Sequence, residues 1–401
     1  MSWTPHIPPA HGGQLRQIAA RYGIPAEQLT DFSANINPSG PPPPVLAAIR
    51  HALEEPATLA MYPDFELIEL KRTIADYVNA QPENIAIANG FVPLLESVLR
   101  SLKIARCLLP VPSFSEYRGV LENVGATVIP YRLSPDRGFE YETKTIFESL
   151  LDHSCDAILL ANPQNPSGVL CNTQRMKRLI EMAAQHRITV LLDEAFIDYC
   201  QVESMVRLGI EQANLIVFRS VTKFFAIPGL RVAYAVSEKH LIHAMNRLIA
   251  PWPITSIASQ AVCAALDDVA YADESRLANE QRRFWLEEQL TRLGVAMYPS
   301  SANFLLLRFP AEVPVGLLWE RMIVEEQLVL RSCANFEGLA AGHLRIAVRS
   351  EPENERLIRS LERVLSSFTG LMSGPLRRRS DAVKRLPADA GMRNDDSSID
   401  V

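Results

Sequence analysis

The sequence has no cysteine arrangement suited to a disulfide framework or a metal site. Its six cysteines (107, 155, 171, 200, 263 and 333) are scattered over 401 residues without a Cys-x-x-Cys pair, and they read as reduced packing residues. A surplus of positive charge is also missing, since 40 Lys and Arg stand against 46 Asp and Glu for a net charge of −6. That balance excludes the basic stripe a nucleic-acid partner requires. No apolar run reaches about 18 residues, the length of a membrane-spanning helix. The start, Met1-Ser-Trp-Thr-Pro-His-Ile-Pro-Pro9, has no basic segment ahead of an apolar one, so it does not read as a secretion signal. The expectation is a cytoplasmic chain without nucleic-acid or membrane partners, long enough for two domains of about 150 residues each.

Residues 1–44 form a proline- and glycine-rich arm with one helical stretch near Gln14–Tyr22, but His11-Gly-Gly13 and Asp31-Phe-Ser-Ala-Asn-Ile-Asn-Pro38 are too particular for a linker. Helix patterns follow at Val45–Glu54 and Glu66–Val78, the second with Asp64 as its expected cap. From about residue 80 short apolar strands alternate with helices, the texture of an α/β fold with a mostly parallel sheet covered on both faces. The strand candidates Ile85–Ala88, Cys107–Leu109, Ala157–Leu160, Ile188–Leu192 and Ile216–Phe218 each run into a polar, glycine or proline residue. In such sheets the ligand lies beyond the carboxyl ends of the strands, so these five ends should converge. The large domain is expected over 45–293, a smaller α+β domain over 294–368, and a polar, periodless disordered tail over 369–401.

Lys223 lies between two apolar runs, Leu215–Phe218 and Leu230–Val236, where a strand gives way to a turn. Burial lowers an amine's pKa, and a neutral amine can attack a carbonyl to form a Schiff base. Ser220 and Arg231 flank it at distances suited to gripping a phosphate. These are the parts that pyridoxal 5′-phosphate needs.

Asn162-Pro-Gln-Asn-Pro-Ser-Gly168, Asp193-Glu-Ala-Phe196, Ser220-Val-Thr-Lys223 and Gly229-Leu-Arg231, in that order, resemble the motifs of the fold-type I pyridoxal phosphate enzymes, in the branch that holds the histidinol-phosphate aminotransferases. The resemblance implies a Schiff base on Lys223 and pairing of Asp193 with the pyridine nitrogen. It also implies donation from Asn165 to the phenolic oxygen and stacking by Phe114. Ser220 and Arg231 would hold the cofactor phosphate with backbone amides at Gly90 and Phe91. Tyr62 would reach it from a second subunit, making a homodimer with shared sites. Two departures stand out. Phe196 occupies a position where many relatives have tyrosine, and the Gly90 segment lacks the hydroxyl or acidic residue often found there.

His11-Gly-Gly13, the Asp31–Pro41 segment and Leu328–Gly338 are similar to those of the threonine-phosphate decarboxylases of cobalamin biosynthesis. That likeness implies decarboxylation of L-threonine O-3-phosphate to (R)-1-amino-2-propanol O-2-phosphate, with Arg345 on the substrate carboxylate and Arg331 and His11 on its phosphate. Arg349 is a weaker candidate. The alternatives are an aminotransferase acting on histidinol phosphate or a related amine, and a regulatory protein that keeps the fold without catalysis.

Overall fold

A computed structural model of the chain describes residues 8–371. Seven strands form the main sheet: β1 (Ile85–Ala88), β2 (Arg106–Val111), β3 (Thr127–Arg132), β4 (Ala157–Ala161), β5 (Thr189–Asp193), β6 (Leu215–Ser220) and β7 (Ala233–Val236). Their order is β1-β7-β6-β5-β4-β2-β3. Only β7 runs against its neighbours, so the sheet is mostly parallel, as expected.

Alternation along each strand sorts its side chains between two cores, because successive residues point to opposite faces. Ile85, Ile87, Ile158, Leu160, Val190 and Leu192 join one buried cluster. Ala86, Ala88, Leu159, Leu191, Ile216 and Phe218 join the other. Helices cover both faces, which is why these strands read as unbroken apolar runs. The parallel set includes all five strand ends singled out in the sequence, so they open on the same edge of the sheet.

The sequence reading missed β3, whose half-exposed edge position tolerates Thr127, Tyr131 and Arg132. It also began β7 too early. Pro228–Leu230 is a single 3-10 turn, and Arg231 adopts a left-handed conformation at φ 59° before the strand starts. The helix expected from Glu66 runs over Ile68–Val78, and Asp64 accepts from the Ile68 amide at 2.7 Å from three residues ahead of the cap position.

A second, antiparallel sheet joins, in order, Arg331–Ser332, His343–Ala347, Phe304–Arg308 and Ala296–Met297 over a third core. The 24-residue helix Val269–Arg292 packs against both Ile197–Glu203 and the last helix. That last helix, Glu351–Leu371, extends into the stretch expected as a tail, and residues 372–401 lie outside the described residues. The arm is built into the fold. Thr30–Asp31 pairs with Leu328–Val329, the Asn37 amide donates to the Lys223 carbonyl at 3.0 Å, and the Asn37 side chain reaches the Phe224 carbonyl at 3.0 Å. A Cβ on Gly12 would collide with the Ser33 carbonyl, so the His11-Gly-Gly13 turn closes only with glycine there.

Candidate active site

Asp193 ends β5 and Ser220 ends β6, and Lys223 follows three residues later in the turn between β6 and β7. Burial lowers the Lys223 pKa. Asp193 opposes that shift, whereas Arg231 and Arg345 add to it. The amine therefore lies among the groups the sequence assigned to one site, in the environment a nucleophilic lysine requires. Its Nζ is 5.8 Å from the centre of the Phe196 ring, and Phe196 meets Phe304 edge to face at 4.9 Å. This aromatic pair keeps one side of the amine apolar.

Burial raises the Asp193 carboxyl, against hydrogen bonds from Tyr117 and the Ala195 amide and the charge of Lys223. The Tyr117 hydroxyl donates to Oδ2 at 2.5 Å and the Ala195 amide to Oδ1 at 2.9 Å. Beside it stands an aromatic wall, with Phe114 packed edge to face on Tyr117 at 5.5 Å.

At the other end of the site, Gly90 (φ 92°) precedes the helix Phe91–Leu102. An added Cβ there would lie 2.9 Å from Arg231 Nη2, so a guanidinium rests directly against a helix N-terminus, whose first-turn amides have no carbonyl partner within the helix, while the Gly90 amide itself donates to the Ala88 carbonyl at 2.8 Å. Ser220 Oγ and Thr222 Oγ1 lie 2.8 Å apart. Arg231 makes no ion pair among the described residues; its Nη1 donates to the Pro228 carbonyl at 3.4 Å. Amide donors, hydroxyls and an unpaired cation of this kind form an anion cradle.

Asn165 sits in the loop after β4. That loop is clamped by Gln164, whose Nε2 donates to the Pro112 carbonyl at 2.5 Å and whose Oε1 accepts from the Ser167 amide at 2.8 Å. Asn165 Oδ1 accepts from Arg345 Nη1 at 2.7 Å. Arg331 and Arg345 are direct partners across two antiparallel strands. They are only 4% and 7% exposed, and neither forms an ion pair among the described residues. Burial and the neighbouring Arg331 bring Arg345 down to about 10, with Cys333 opposing, and burial lowers Arg331 too. Arg345 lies over Phe304 at 4.9 Å and its Nε is buried without a partner. Arg331 donates to the Ala10 carbonyl at 2.6 Å and to Asn335 Oδ1 at 2.8 Å. His11 Nε2 meets Glu116 at 3.1 Å, and its ring lies 6.3 Å from that of Phe114.

Two candidates lie elsewhere. Arg349 is used structurally, donating to the Asp31 carbonyl at 3.0 Å and to Glu353 at 2.7 Å. Tyr62 is 79% exposed and stacks on Trp252 at 4.6 Å.

A model of the aminotransferase class I and II family matches residues 27–361. The chain belongs to that family. It is 34% identical over 364 residues to the threonine-phosphate decarboxylase of Salmonella typhimurium strain LT2, covering 90% of this chain and 97% of that one. The histidinol-phosphate aminotransferase of Clostridium acetobutylicum superposes with a TM-score of 0.77 at 28% identity, over 84% of this chain and 99% of that one. A histidinol-phosphate aminotransferase from Sinorhizobium meliloti, solved with pyridoxal 5′-phosphate, shares the fold with a TM-score of 0.77 at 22% identity, over 91% and 96% of the two chains.

The residues of this family member fit such a cofactor. The cradle at Gly90, Ser220 and Arg231 suits its phosphate, the lowered amine of Lys223 its aldehyde, and the buried Asp193 a protonated ring nitrogen. The sequence reading had not placed Tyr117, Gln164 or Thr222 among the site residues. Tyr117 lies in the helix Glu116–Asn123 and Phe114 in the loop before it, so no helical spacing in the sequence linked the two.

Proposed function

We propose that the protein decarboxylates L-threonine O-3-phosphate with pyridoxal 5′-phosphate, giving (R)-1-amino-2-propanol O-2-phosphate for cobalamin biosynthesis in the cytoplasm. The observation that carries this reading is the pair of buried, facing arginines, Arg331 and Arg345, that have no carboxylate partner among the described residues. Like charges opposite each other across a ladder destabilise the sheet until an anion joins them. A substrate with both a carboxylate and a phosphate supplies one anion to each at the same time, whereas an aminotransferase would meet these anions on separate substrates, the phosphate on histidinol phosphate and the carboxylate on the keto acid. The similarity to the Salmonella decarboxylase agrees with this.

When bound, the cofactor supplies an aldehyde for the amine and an electron-withdrawing ring that accepts the electron pair left at the α-carbon. Arg345 takes the carboxylate in a two-pronged grip and fixes its orientation. Arg331 and His11 take the substrate phosphate, and the Ala10 carbonyl beside His11 is held by Arg331 at 2.6 Å. Asp193 holds a negative charge for the ring nitrogen. Asn165 is turned by Arg345, so carboxylate binding and cofactor contact share one side chain. As carbon dioxide leaves, its bonding pair stays on the α-carbon, and Lys223 returns a proton there. The apolar flank made by Phe196 and Phe304 favours release of the charged carboxylate as neutral carbon dioxide.

We assign 45–293 to the cofactor-holding unit and 294–368 to the smaller one, and 1–44 to an arm whose described part packs with the smaller unit and the site. We also infer a two-fold dimer. Leu59, Met61, Tyr62, Phe65 and Ile68 are all exposed within one stretch, an apolar patch of the kind subunit interfaces cover. On that reading Tyr62 serves the partner's cofactor phosphate.

The test is to incubate the protein and cofactor with L-threonine O-3-phosphate without a keto acid, following carbon dioxide and the amine. Turnover that Lys223→Ala abolishes is expected. Histidinol phosphate consumed only with a keto acid, and no carbon dioxide, would instead make the protein an aminotransferase.

A further inference from the structure

Tyr117 occupies the first turn of the helix Glu116–Asn123 and is buried, with its hydroxyl 2.5 Å from Asp193 Oδ2. That hydroxyl has little freedom. The ring is wedged between Phe91 at 5.7 Å and Phe114 at 5.5 Å. Its two neighbours in sequence anchor the same turn outward. Glu116 meets His11 of the arm at 3.1 Å, and Arg118 grips Glu337 with two hydrogen bonds of 2.9 Å each.

Burial and the adjacent carboxylate push the phenol well above its ordinary pKa, so its proton stays on the oxygen and Asp193 is the acceptor. Asp193 thus receives one donor on each oxygen, Tyr117 on Oδ2 and the Ala195 amide on Oδ1. Without them a carboxyl so deeply buried would favour its neutral form.

Building on the decarboxylase reading, we propose that Tyr117 is a positioning residue that keeps Asp193 ionised and in one rotamer, and thereby keeps the cofactor's ring nitrogen protonated. The effect is indirect, since Tyr117 acts on the ring through Asp193. Because Glu116 and Arg118 tie the same turn to the arm and to the Leu328–Gly338 segment, the elements that read the substrate phosphate also set the position of this hydroxyl.

The test compares wild type, Tyr117→Phe and Tyr117→His as holoenzymes loaded with cofactor labelled with nitrogen-15 in the ring. The nitrogen chemical shift across pH 6–9 is the first readout, and kcat and KM for L-threonine O-3-phosphate are the second. In wild type the nitrogen stays protonated throughout. In Tyr117→Phe it titrates within the window, and kcat falls about tenfold with KM within about twofold. Tyr117→His, whose ring N–H can donate to the same carboxylate, restores the protonated signal. If the phenylalanine variant leaves the nitrogen unchanged, or if the histidine and phenylalanine variants behave alike, Tyr117 only packs and the proposal is overturned. Should Tyr117→Phe not fold, the histidine variant decides alone: a nitrogen that titrates despite a donor at position 117 refutes the idea, and one that stays protonated upholds it. The nitrogen signal needs no turnover, so a different substrate would undo the decarboxylase reading without touching this result.

Discussion

Among the described residues two sets of buried arginine are partnered differently. Arg219, at the end of β6, is 2% exposed and enclosed by acid: Asp198 Oδ1 lies at 2.5 Å and Glu194 Oε2 at 3.5 Å. Those carboxylates are themselves held, Glu194 by the Ser204 hydroxyl at 2.6 Å and the Met205 amide at 2.7 Å, and Asp198 by the Tyr77 hydroxyl at 2.8 Å. Arg331 and Arg345 are buried almost as deeply but face each other, with only carbonyls, an asparagine side chain apiece and aromatic faces around them. The first set has its charge matched without a ligand, although Arg219 Nε, like Arg345 Nε, is buried without a hydrogen-bond partner; the paired charge places it in the scaffold. The second has unmet charge, which is what a site for anions looks like before they arrive. The scaffold set also serves the site, because Glu194 and Arg219 adjoin Asp193 and Ser220 in the chain.

The comparison is broken most severely by removing the scaffold cation. Arg219→Met leaves Glu194 and Asp198 without their counter-ion and is expected to cost about 3–5 kcal/mol of stability, read by urea unfolding. Arg345→Met should do the reverse. Stability should hold or rise, because an unpaired buried cation is gone, while kcat/KM for L-threonine O-3-phosphate falls about a hundredfold, about 2.7 kcal/mol of binding in the transition state. If both variants lost stability alike, the distinction would fail.

The smallest effect concerns pH. Arg345 helps to lower the Lys223 pKa, so Arg345→Met raises it. The acid limb of pyridoxal phosphate capture by the cofactor-free enzyme, where protonated amine is unreactive, then moves to higher pH. Arg219 is not among the groups acting on Lys223, and a folded Arg219 variant should leave that limb in place. Rates of absorbance change on adding the cofactor from pH 6 to 9 provide the check.

How much of this was legible in the sequence depends on how local each signal was. Strand ends were plain, since β4, β5 and β6 are apolar runs that stop at a polar or proline residue, and their parallel order brings Asn165, Asp193, Ser220 and Lys223 to one edge. The edge strand β3 was not legible, because only one of its sides needs apolar residues. The facing of Arg331 and Arg345 depends on register between strands separated by the 333–342 loop, which the sequence does not state. Arg349, the weaker candidate, is held by Asp31 and Glu353. Whether an arginine is spent on the scaffold or kept for a ligand is decided by its partners, and partners come from tertiary structure. The same holds for Tyr117, whose hydroxyl meets a carboxylate 76 positions away.

The most direct test compares carbon dioxide release from L-threonine O-3-phosphate and from L-threonine, in wild type and in Arg331→Met. If the facing arginines read two anions, wild type should prefer the phosphorylated substrate by about a thousandfold or more in kcat/KM. Arg331→Met should then reduce that preference to about tenfold and leave the slow reaction of threonine unchanged. A preference that survives the substitution intact, or a variant that slows both substrates equally, would contradict the account.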